Sequence, residues 1–89
     1  MDLTEREKQI YTDFEKAREE CMASLELWSI DARRTCEMLA ECTEAELSGG
    51  DRTAFHDQWL RETDAQTTHM HLRARLLACS RARVAILRK

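Results

Sequence analysis

The chain has no proline, and its only two glycines stand side by side at Gly49-Gly50. Nothing between Thr4 and Gly49 therefore forces a helix to break, and nothing after Gly50 does either. The same scarcity excludes the glycine-rich phosphate cradles. A Walker loop needs a second spaced glycine followed by Lys and Ser/Thr, and a dinucleotide fingerprint needs a preceding strand. No apolar run reaches membrane-spanning length, and Met1-Asp2-Leu3-Thr4-Glu5-Arg6-Glu7 is charged where an export signal needs an apolar stretch. The expected compartment is the cytoplasm, with no membrane insertion. There Cys21, Cys36, Cys42 and Cys79 are expected to be free thiols rather than a disulfide frame. One charge sign is also missing locally: residues 65–89 contain no Asp or Glu.

With 43% apolar and 35% charged residues, the 89-residue chain has the composition of one small soluble domain. A chain this short buries a small fraction of its surface, so a partner chain is an expected part of its stability. Thr4-Glu5-Arg6-Glu7 fits a capping box, and the steps of three, four or seven through Ile10, Phe14, Ala17, Cys21, Leu25, Trp28, Ala32 and Leu39 are helical. The first helix is expected over residues 4–47. Gly49 and Gly50 can take left-handed conformations that end it, Asp51 can cap the next, and residues 48–51 are expected to form the turn. The second helix is expected over 52–87. The fold class is all-α: a single antiparallel, coiled-coil-like two-helix hairpin over 1–89, completed by a partner chain or a second copy.

On the second helix the stripe Phe55, Trp59, Met70, Ala74, Leu77 and Val84 is expected to face the first helix. A tight reversal at the glycines would pair Phe14 with Val84 or Ala85, Leu25 with Ala74, Trp28 with Met70 or His71, and Leu39 with Leu60 or Trp59. Charge favours the antiparallel direction, because the first helix is acidic and the end of the second is basic. Glu15, Glu19 and Glu20 are expected near Arg81 and Arg83, with acids near each helix start and bases near each helix end.

Several chemical readings weaken on geometry. His69 and His71 are two apart, so on a helix they point about 200° away from each other and cannot close on one metal ion. They are expected on the surface. Cys36 and Cys42 make no chelating face, and a Cys21–Cys79 bridge would need Cα atoms closer than the about 8–10 Å between packed helix axes. No metal, cofactor or small-molecule substrate is expected. Two helices and a turn suggest no pocket in which a nucleophile or base could be tuned, so an enzyme is not expected. The bases Arg73, Arg75, Arg81, Arg83, Arg88 and Lys89 could touch nucleic acid, but the acidic first helix competes for them.

More apolar surface is present than one hairpin needs. Leu72, Leu76, Cys79 and Ile86 form a second row on the second helix, and Leu27, Ile30 and Met38 fall away from the main stripe of the first. These seven residues are the expected partner-binding surface. The function expected is therefore protein binding without catalysis, with a homodimeric regulator making weak nucleic-acid contact as the alternative.

Gly49-Gly50-Asp51, followed by Phe55, Trp59 and Arg61-Glu62, resembles the small E-type cochaperones of type III secretion needle subunits. That resemblance implies a cytoplasmic helical hairpin that binds a tetratricopeptide-like chaperone, the two together keeping a needle subunit soluble before export.

Overall fold

The computed structural model describes residues 2–41 and 53–88. It consists of two antiparallel helices, α1 (Glu5–Glu41) and α2 (Thr53–Leu87), laid side by side in a rod of 67 × 17 × 14 Å. The expected turn at Gly49, Gly50 and Asp51, and the end of the first helix at 47, lie outside the described residues.

α1 starts where the capping box places it. The Thr4 N–H donates to Glu7 Oε1 at 3.0 Å, and the Glu7 N–H donates to Thr4 Oγ1 at 3.1 Å. Two backbone donors at the helix start, which have no partner inside the helix, are thereby satisfied. Along the exposed side of α1 the links are local, with Lys8–Glu5, Gln9–Asp13 and Arg18–Glu15 at three or four residues' spacing. Each is worth a few tenths of a kcal/mol, about what exposed helix pairs contribute. The expected end charges are realised at one place: Glu5 and Glu7 occupy the first turn of α1, while its last described turn holds no base and the first turn of α2 holds no acid.

Burial alternates by three and four residues along both helices. On α1 the inward positions run through Ile10, Phe14, Ala17, Cys21, Ser24 and Trp28, and continue through Asp31, Thr35 and Met38. On α2 they run through Phe55, Gln58, Glu62, Ala65, His69 and Leu72, and continue through Leu76, Cys79, Arg83 and Ile86. This is the seven-residue period of a coiled-coil seam, which averages 3.5 residues per turn and keeps one face of each helix turned to the other over the whole length.

The seam corrects the expected faces. On α1 the expected stripe holds at Ile10, Phe14, Ala17, Cys21 and Trp28, and Ala32 is partly buried, but Ser24 and Met38 turn inward where Leu25 and Leu39 were expected. On α2 the two apolar rows are exchanged over most of their length, although Phe55 stays inward as expected and Val84 is partly buried. Leu72, Leu76, Cys79 and Ile86 are partly buried against α1, while Met70 and Leu77 are exposed at 47% and 51%. Apolar residues surround α2 on several sides, so their number does not select a face. The selection comes from polar residues that find partners in the seam.

Candidate protein-binding face

Three polar contacts set which side of α2 meets α1. Ser24 Oγ donates to the Cys21 carbonyl at 2.7 Å and lies 2.9 Å from His69 Nδ1, with both side chains buried. Gln58 Nε2 donates to the Asp31 carbonyl at 3.1 Å and to Asp31 Oδ1 at 3.2 Å. On the edge of the seam, Arg75 Nη1 meets Glu20 Oε2 at 2.8 Å. A buried polar group without a partner costs about 1–3 kcal/mol, so a rotation of α2 that freed His69 and Gln58 would lose more than one exposed leucine could return.

Aromatic contacts fill the spaces between these pairs. The Trp28 ring centroid lies 5.5 Å from that of His69, and the Arg83 guanidinium carbon sits 3.8 Å from the Phe14 centroid. Trp28 therefore meets His69 rather than Met70 or His71, and Phe14 meets Arg83 rather than Val84 or Ala85. A cation over an aromatic face contributes about 0.5–2 kcal/mol, with the larger values where water is excluded. Glu15 turns to Arg18 on its own helix, so in place of the expected approach of Glu15, Glu19 and Glu20 to Arg81 and Arg83, the cross-helix ion pair among the described residues is Glu20–Arg75. Trp28 Nε1 and Arg83 Nε are buried and find no acceptor among the described residues.

His69, expected on the surface, is 5% exposed. A serine hydroxyl against an imidazole is also the geometry of an activated nucleophile. Here Ser24 is 6% exposed, and its hydroxyl lies within hydrogen-bond distance of the Cys21 carbonyl as well as of Nδ1, so the pair is enclosed in the seam between the two helices. No group of three or more His, Cys, Asp or Glu among the described residues could hold a metal ion. Cys21, Cys36 and Cys79 are free, with Cys21 buried and Cys79 partly buried in the seam; Cys42 lies outside the described residues.

Turning Leu72, Leu76, Cys79 and Ile86 inward leaves a different apolar surface outside. Phe14 and Arg18 of α1 join Met70, Arg73, Leu76 and Leu77 of α2 in lining an open groove of about 630 Å³ on one flank of the hairpin. Because the seam repeats every seven residues, side chains seven apart share a side. Leu25 and Leu39 thus lie on the Arg18 side of α1, and Trp59 lies on the Arg73 side of α2. Leu25, Leu39, Trp59, Met70 and Leu77 are exposed, as is Met22, one helical turn from Arg18. The His56 ring lies 6.2 Å from that of Trp59 at the turn-proximal end of this flank.

The expected binding residues divide accordingly. Leu27 and Ile30 are exposed at 63% and 65%, but they lie on the opposite flank, beside Glu20 and Arg34. Met38 is partly buried in the seam with Leu72, Leu76, Cys79 and Ile86, so these five pack between the helices, and of them Leu76 also lines the groove. The sequence reading missed Leu25, Trp59, Met70 and Leu77 as outward residues, because it assigned them to the core. The available signal was the unbroken three-four alternation through Ser24, Asp31 and Thr35, which an apolar count discards.

No helix among the described residues is long and apolar enough to cross a membrane. In comparisons with known proteins the chain matches no family model, no curated protein and no solved structure.

Proposed function

We propose that this chain is a non-enzymatic protein-binding module, a helical hairpin that offers one apolar flank to helices of another chain. The observation that carries the reading is the exposure of large apolar side chains from both helices on a single side, with Leu25 and Met22 from α1 beside Met70, Leu77 and Trp59 from α2. Contiguous apolar surface of this kind marks an interaction site, whereas isolated exposed leucines do not. The polar contacts within the seam leave that flank unused.

The finer form of the proposal is a secretion cochaperone acting in the cytoplasm. Of the residues that resemble the E-type cochaperones, Trp59 stands on the exposed flank, where a helical chaperone could cover it. Nucleic-acid binding has less support, because Arg75 is paired with Glu20 and Arg83 is folded over Phe14. The test is affinity purification of the tagged chain from its native host, with Leu25→Glu and Leu77→Glu beside the wild type. A protein retained by the wild type and lost by both variants supports the reading. If the wild type binds neither itself nor any protein that these variants lose, the reading fails.

A further inference from the structure

We infer that a second copy of this chain occupies the apolar flank, antiparallel to the first, so that two hairpins form a four-helix bundle around a two-fold axis at the level of Leu25. The inference rests on the reading of the flank as a protein-binding surface and names its occupant.

The first argument is that the flank is complementary to itself. The Ser24–His69 hydrogen bond places Leu25 level with about residue 68 of α2. Measured from that level, Trp59 lies about 13 Å toward the turn, and Leu77 in the groove lies about 13 Å toward the termini, at 1.5 Å per residue. A two-fold axis there, perpendicular to the rod, sets the Trp59 indole of each copy against the groove formed by Arg73, Ala74 and Leu77 of the other. The same axis sets Leu25 against its own copy and Leu39 against Tyr11. An isologous interface requires this kind of match, in which residue i meets j and j meets i.

The second argument is charge. The half of the rod holding the termini, residues 2–20 with 70–88, carries nine Arg and Lys against seven Asp and Glu. The half nearer the turn, residues 21–41 with 53–69, carries three against seven. Antiparallel copies bring the basic half of each beside the acidic half of the other, and parallel copies bring like beside like. At the level of single residues, Glu62 is a partly buried seam position one helical turn from Trp59 on the flank, Arg73 lines the groove, and neither has an ionic partner among the described residues. They stand at nearly equal distances on either side of the proposed axis, so the dimer pairs each with the other twice. The third argument is area. A flank along a rod 67 Å long and 17 Å wide is large enough for the about 800 Å² per partner that a stable interface buries.

The experiment is sedimentation equilibrium of the full chain at micromolar concentrations, with Arg73→Glu, Glu62→Arg and their equimolar mixture, helicity being checked by circular dichroism. The wild type is expected at twice its 10.4 kDa mass. Each single variant places like charges at both contacts and is expected to dissociate at least tenfold more readily. The mixture restores both pairs in the heterodimer, so it is expected to return to the wild-type mass. A monomeric wild type at 100 µM, variants as dimeric as the wild type, or a mixture that stays dissociated would each overturn the antiparallel dimer. Should Glu62→Arg lose helicity, Leu25→Glu replaces it. Residue 25 is exposed and lies on the axis, so the two carboxylates would meet and the variant is expected to dissociate at least tenfold more readily; a dimer unaffected by it overturns the proposal. A monomeric wild type that still holds a host protein lost on Leu77→Glu would remove the second copy and leave the protein-binding reading intact.

Discussion

Ser24 Oγ and His69 Nδ1 lie 2.9 Å apart at the middle of the rod, where two helices that approach from opposite ends are locked at one level. Sliding α2 by one heptad toward either end would keep the three-four alternation and lose this contact. It would set His69 near Ala17 or near Asp31 and Glu62 or Leu76 near Ser24. The polar pair therefore specifies register at some expense in stability, as buried polar positions in coiled-coil seams do.

Removing one side of that pair should expose the cost of the other. Ser24→Ala is expected to destabilise the hairpin by about 1–3 kcal/mol, since it leaves buried His69 Nδ1 without its partner, and His69→Ala by a similar amount through the lost packing against Trp28, Ser24 keeping its bond to the Cys21 carbonyl. Replacing both, as Ser24→Ala with His69→Leu, is expected to cost less than either single change. Urea titrations followed by circular dichroism would give the three values. A double variant weaker than both singles would contradict this account.

The second polar lock predicts a smaller effect. Gln58→Ala removes the bonds to the Asp31 carbonyl and to Oδ1, and should lower stability by about 1 kcal/mol. Thermal melts would register this as a fall in Tm of about 4–8 °C for a domain of this size.

At the start of α1, Thr4→Ala should cost about 0.5–2 kcal/mol and Glu7→Ala less. Because each side chain serves the other's backbone N–H, combining the two should cost less than their separate effects added. Additive losses would show that the two bonds act independently.

Adjacent leucines on α2 should behave in opposite ways. Leu76 is partly buried in the seam, and Leu76→Glu places a carboxylate there without a partner, so helicity should collapse. Leu77 is exposed, and Leu77→Glu should leave helicity unchanged while abolishing association. Circular dichroism and sedimentation on the same two samples separate the faces. A folded Leu76→Glu beside an unfolded Leu77→Glu would reverse the assignment.

How much of this was legible in the sequence can be judged residue by residue. The hairpin, its antiparallel sense and the capping box at Thr4 and Glu7 were readable, because each depends on local spacing or on the overall charge of a helix. The face of α2 was not readable from apolar counts. Met70 and Leu77 are as apolar as Leu72 and Leu76, and what distinguishes the rows is whether His69, Gln58 and Arg83 have something to meet. That information lies on α1, at Ser24, Asp31 and Phe14, and it becomes visible when the two helices are read together. The misses at Leu25 and Leu39 have a related cause, because an isolated helix repeats at 3.6 whereas two helices packed along their whole length repeat at 3.5.

Among the described residues the buried apolar core consists of Phe14, Ala17 and Cys21, of which Ala17 alone is fully buried. Unfolding such a rod uncovers little new apolar surface, and the heat capacity of unfolding scales with the apolar surface uncovered. The single hairpin should therefore have a broad, shallow stability curve and a low dependence on urea for its length. Covering the Leu25 and Leu77 flank would add apolar area that melting must uncover, steepening both. A calorimetric heat-capacity step that grows with protein concentration would reveal the covered flank even where the melting temperature scarcely moves.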